Sequence, residues 1–123
     1  MKLLTVTIPS YNSQEYMRHA IESVLVGGED IEILIVDDGS SDNTLSIAQE
    51  YEQKFPTIVR AIHKENGGHG SAVNTGIQNA AGLFFKVLDS DDWFDEASLK
   101  KILHFIHYIV NESIPLDMII SNY

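Results

Sequence analysis

The chain contains no cysteine. That excludes disulfides and thiolate metal sites, and it fits a reducing compartment. No apolar run reaches the roughly 18 residues of a membrane-spanning helix. Nor do Met1 and Lys2 open a secretory signal. They lead straight into a short strand-like run, without an h-region or a small-residue cleavage site. Positive charge is scarce as well: eight Lys and Arg face eighteen Asp and Glu, a formal net charge of −10. This deficit disfavours a binder of nucleic-acid backbone, which needs a basic surface, and disfavours electrostatic docking on anionic lipid. A small anionic ligand would have to bring a metal cation with it.

What is present suits one domain over residues 1–123. The length is near the usual domain size, and the 44% hydrophobic content is enough for a packed core. The expected location is cytoplasmic, with peripheral attachment of a longer parent chain to the inner membrane face left open. Leu3 to Ile8 reads as a buried strand. Met17, Ala20, Ile21, Val24 and Leu25 then recur at one face of a helix. Asn12 or Ser13 is its expected N-cap, and Gly27-Gly28 its stop. Ile31 to Val36 is a second strand. Ser41 or Asp42 caps a second helix with Leu45, Ala48, Tyr51 and Phe55 near one face. Ile58 to Ile62 is a third strand, roughly 71–81 a third helix, and Leu83 to Leu88 a fourth strand. Asp95 caps a fourth helix with Leu99, Ile102, Leu103, Ile106 and Val110 inward, closed by Pro115. Asp117 to Ser121 starts a fifth strand. Apolar strands alternating with helices predict an α/β fold, a mainly parallel sheet with helices on both faces.

In such a sheet, ligands sit beyond the C-terminal strand ends. Four polar loops converge there: "PSYN", "DDGS", "NGGHG" and "DSDD". Asp89 and Asp91, one residue apart, put two hard oxygen ligands on one side of the chain, a donor set for Mg2+ or Mn2+. A bound ion would relieve the repulsion between neighbouring carboxylates. Asp92 and Asp95 are also natural helix-cap residues. Asp37 and Asp38 can accept from a sugar hydroxyl or a base N–H, and Gly39 permits a sharp turn. Both also fit a plain turn. Tyr11 can stack on a base or pack at a core edge. The glycine loop matches neither established phosphate-loop pattern. His69 can touch a phosphate or stay exposed. His104 and His107 read as a solvated helix edge, and His19 and His63 carry no signal.

Taken together, "TVTIPSYN", "ILIVDDGSSDNT", "NGGHGSAVNTGIQNAAG" and "FFKVLDSDDWF" resemble the N-terminal, nucleotide-sugar-binding half of family 2 glycosyltransferases, which have the Rossmann-like GT-A fold. The resemblance covers about Leu3 to Leu103. It implies a nucleotide-sugar donor, usually a UDP-sugar, and a carbohydrate or lipid-linked acceptor of the polysaccharide or glycolipid class. It places Asp89-Ser90-Asp91 on the D-x-D metal motif. Asp91 would hold Mn2+ or Mg2+, and Asp89 would lie near ribose and metal. Asp38 would bind the base edge, Tyr11 would pack on the base and Pro9 would shape the loop around it. Gly67, Gly68 and Asn74 would lie along the donor. In the family the general base is a carboxylate further along, in the acceptor-binding half. No catalytic residue is assigned here, and residues 1–123 alone are expected to bind donor and metal but to transfer sugar poorly. Three rivals compete: a non-catalytic nucleotide- or carbohydrate-binding domain, a Mg2+-dependent receiver with Asp89 as phosphoacceptor, and a haloacid-dehalogenase-type phosphatase. The receiver has too few residues after Asp89, and the phosphatase nucleophile would fall on Val36.

Overall fold

The computed structural model describes residues 2–112. The elements are β1 (Leu4–Ser10), α1 (Met17–Leu25), a 3-10 turn (Gly28–Asp30), β2 (Ile31–Asp38), α2 (Thr44–Lys54), β3 (Val59–Lys64), α3 (His69–Asn79), β4 (Phe84–Val87) and α4 (Glu96–Asn111). The four strands form one parallel sheet in the order β3-β2-β1-β4. Every residue of β1 and β2 is buried. This is the physical reason for their near-continuous apolar runs, because strands at the centre of a parallel sheet are covered on both faces.

The larger core lies on one face. Leu4, Val6, Ile8, Ile33 and Ile35 pack with Met17, Ala20, Ile21 and Val24 of α1, Ile47, Ala48 and Tyr51 of α2, and Leu99, Leu103 and Ile106 of α4. Each fully buried aliphatic side chain contributes roughly 1.5–3 kcal/mol. The helix α3 covers the opposite face, with Ala72 buried and Gly76 set directly against Thr7. The expected two-faced α/β architecture is therefore met, with three helices on one side and one on the other.

Local boundaries differ from the sequence expectations for identifiable reasons. Neither Asn12 nor Ser13 caps α1. The chain first turns, with the N–H groups of Tyr16 and Met17 both donating to the Ser13 carbonyl, and Tyr16 is the N-cap without a side-chain bond. Asn12 instead takes a positive φ of 47° and accepts from the Ser41 N–H at 2.9 Å. In α2 the Asp42 carboxylate does serve the helix start, accepting from the Thr44 N–H at 2.9 Å, although Asn43 occupies the cap position. The buried stripe of α2 runs through Thr44, Ile47, Ala48 and Tyr51. Leu45 is half-buried and Phe55 is 36% exposed. Asp95 caps α4 as expected, accepting from the Ser98 N–H. The expected Pro115 stop and Asp117 to Ser121 strand lie outside the described residues. Among the described residues, no helix is long and apolar enough to cross a membrane.

Candidate functional site

Chain order determines where a ligand can sit. From β1 the chain moves to β2 on one side, whereas β4 pairs on the other side of β1. The sheet therefore has its topological switch between β1 and β4, where the loops separate and open a crevice. A cleft of about 380 Å³ lies there, lined by the ends of β1 and β2, by the loops after β1, β3 and β4, and by the start of α3. Pro9, Tyr11, Asp38, Gly68, Asp89 and Asp91 are among its lining residues, as the sequence led one to expect. Two expected residues are not. Asn74, exposed on α3, and Gly67, exposed in the loop before it, both lie outside the lining. The lining adds Asn66 and His69 of the expected glycine loop, and Ser13 and Tyr16, which carried no functional signal in the sequence.

Asp38 shapes the cleft from within. Its Oδ1 accepts from Lys64 Nζ and from the Gly67 N–H, both at 2.9 Å, and its Oδ2 accepts from the Gly68 N–H at 2.9 Å. The Asn66 amide also donates to the Asp38 carbonyl at 3.0 Å. Burial alone would push this carboxyl up, but the Gly67 N–H, Lys64 and the Gly68 N–H outweigh it and hold it below the usual value. Gly39, at φ 70°, lets the chain leave Asp38 with its Cα packed against the Asn66 backbone, where a side chain would collide. Gly67 thus serves the site through its backbone. One Oδ2 lone pair of Asp38 has no partner in this set of bonds.

Asp37 faces the other way. It is 1% exposed, accepts from the Ser40 N–H at 3.0 Å, and pairs with His63 Nδ1 at 2.7 Å. This gives His63 a role that its sequence context did not disclose. Beneath the cleft, hydroxyl groups tie three loops together. Ser13 Oγ lies 2.7 Å from Ser90 Oγ, and the Ser13 N–H donates to Thr44 Oγ1 at 2.8 Å. Thr44 Oγ1 in turn donates to Asp42. Burial would raise the Asp42 carboxyl, but the Thr44 hydroxyl, the Thr44 N–H and the Gln14 N–H bring it below its usual value.

Asp89 and Asp91 reach the cleft from a turn, not from extended strand. β4 ends at Val87, and the Asp92 N–H donates back to the Asp89 carbonyl at 2.9 Å. Ser90 turns inward to Ser13, which leaves the two carboxylates exposed to the cleft. His69 Nε2 lies 2.9 Å from Asp89 Oδ1, so this histidine belongs to the site. Asp92 accepts from the N–H of Trp93 next to it and does not line the cleft. His104 and His107 are exposed on α4, as expected.

The lining thus carries three carboxylates and, among the described residues, no lysine or arginine. Lys64 pairs with Asp38 from outside the lining, whereas no lysine or arginine of the lining stands beside Asp89 and Asp91 to hold an anion there. The donor set of Asp89 and Asp91, two accessible carboxylates on one wall, fits a hard divalent cation. Among the described residues, however, no ready group of three ligands is gathered, so remaining positions would be filled by ligand oxygens and water.

The model of the family described as glycosyl transferase family 2 matches residues 5–109. The chain belongs to that family. The minor teichoic acid biosynthesis protein GgaB of Bacillus subtilis is 37% identical over 88% of this chain and 12% of its own length. A Mycoplasma pneumoniae protein, described as an uncharacterized glycosyltransferase and MG025 homolog, is 41% identical over 97% of this chain and 38% of its own. The crystal structure of S. aureus TarS 1-349 in complex with UDP-GlcNAc superposes with a TM-score of 0.76 at 31% identity, covering 88% of this chain and 32% of that one. The chain therefore spans well under half of each relative's length. Family membership sets aside the receiver and phosphatase rivals.

Proposed function

We propose that the cleft binds a nucleoside-diphosphate sugar, most plainly a UDP-sugar, together with Mn2+ or Mg2+, as the donor half of a glycosyltransferase. The acceptor is a hydroxyl of a polysaccharide or glycolipid. One observation carries this: Tyr11, Asp38, Asp89 and Asp91 line a single cleft at the switch point of the sheet. The TarS complex with UDP-GlcNAc supports the choice of ligand.

Each residue then has a task that its surroundings suit. Tyr11 is 54% exposed and offers a ring face to the base. Asp38 holds the Gly67-Gly68 backbone in place and offers its remaining lone pair to a base N–H. Pro9 fixes the chain beneath that base. Asp89 and Asp91 hold the cation, which when bound would supply Lewis-acid stabilisation of the departing diphosphate. His69 keeps Asp89 oriented toward the cleft. Gly68 ends the loop at the start of α3, where backbone N–H groups favour an anion.

Calorimetry with UDP, with and without Mn2+, tests the proposal. Binding should require the metal, and Asp91→Ala should weaken it by at least about tenfold, or about 1.4 kcal/mol. Because Asp91 is exposed, the variant should keep its stability to within about 0.5 kcal/mol. Equal UDP binding by the parent without metal and by the variant would refute the proposal.

A further inference from the structure

The donor cleft leaves an aromatic group beside it unexplained. Trp93, the only tryptophan of the chain, stands two residues after Asp91 and is 55% exposed. It is nevertheless fixed in place. Its ring stacks on His19 with centroids 4.6 Å apart and planes 21° apart. The next residue, Phe94, is buried, and its N–H donates to Ser23 Oγ of α1 at 3.0 Å. His19 and Ser23 are one turn apart, so the loop carrying Trp93 is held against a single stripe of α1. Three residues before His19 on the same stripe is Tyr16, which is 46% exposed and lines the cleft. Tyr16, His19 and Trp93 thus form a ledge running from the cleft mouth along α1.

A held, exposed indole is suited to recognition, because large rigid rings give contact area at little entropic cost. The flat apolar C–H face of a pyranose matches such a surface. The charges nearby narrow the choice. Asp92, exposed and adjacent to Trp93 in the same turn, repels phosphate. A neutral sugar ring fits; a polyanionic chain does not. On the donor reading above, the diphosphate lies at Asp89 and Asp91. The acceptor must then approach on that side, where the ledge begins.

We propose that Trp93, with His19 and Tyr16, is an acceptor subsite that takes a neutral pyranose ring. This inference rests on the donor reading only for its direction, so the two can fail separately. The test follows Trp93 fluorescence during titration with the methyl glycosides of glucose, galactose and N-acetylglucosamine, with and without UDP and Mn2+. A saturable change with at least one glycoside, and none with ribitol or glycerol phosphate, is expected. Saturation-transfer NMR of the responding glycoside should lose its signal in Trp93→Ala and keep part of it in Trp93→Phe, while calorimetric UDP affinity with Mn2+ stays unchanged. No response to any glycoside, or an equal response to ribitol, overturns the inference. So does an equal loss of UDP affinity in Trp93→Ala, because Trp93 would then only brace the acidic turn. If UDP fails to bind the parent protein, the donor reading falls, and the glycoside response without UDP still decides this one.

Discussion

Asp38 shows how much one buried carboxylate can organise. It is 4% exposed and takes three hydrogen bonds from one distant segment, Lys64 to Gly68. Because its pKa is lowered on folding, its contribution is present above the unfolded carboxylate value and is lost as pH falls through the folded one. Asp38→Asn should therefore cost about 2 kcal/mol near neutral pH, the scale of hydrogen bonds to a charged group. The gap to the parent should begin to narrow below about pH 4, where the unfolded carboxyl protonates, and should close only once pH has fallen through the lowered folded value. Urea unfolding across that range measures it; a constant gap would show that the charge is not what matters. The sequence placed Asp38 at a strand end and so near the site. It could not reveal that the loop being held lies 29 residues away. The pairing of His69 with Asp89 was equally hidden, since the two lie 20 residues apart.

Among the elements, α3 lies close against β1. Gly76 meets the Thr7 side chain of β1, and a Cβ at that position would overlap it. Thr7 Oγ1 is buried there without a hydrogen-bond partner, so polar satisfaction is given up for close approach of helix and strand. Gly76→Ala should gain about 1 kcal/mol in helix propensity and lose roughly 1–3 kcal/mol to overpacking. Net destabilisation in chemical denaturation is the expected outcome, and a stabilised variant would mean that the helix shifts freely. The stripes of α1 and α4 were readable from their spacing, because 3.6-residue periodicity is a local property. Helix starts were less readable: α1 begins at Met17, well after the polar residues that looked like caps, because Ser13 is used to join loops instead.

At the scale of the molecule, the net charge of −10 is an unfavourable self-repulsion. Screening reaches about 8 Å at physiological salt. Moderate NaCl should raise the melting temperature, since the exposed ion pairs it weakens, such as Lys100 with Glu96, are worth little. A falling melting temperature would mean that those pairs matter more than the repulsion. The amino-acid sequence by itself determined the kind and order of elements described, the parallel sheet and the four polar loops at one edge. Alternation of apolar runs, helical spacing and turn residues are all short-range signals. Only the tertiary structure decided how those loops grip one another: Ser13 against Ser90, 77 residues apart, Asp38 closed over the glycine loop, and Trp93 laid on His19. Such contacts depend on which strand ends become neighbours in space. That follows from the packing of the sheet as a whole, and no stretch of the chain records it.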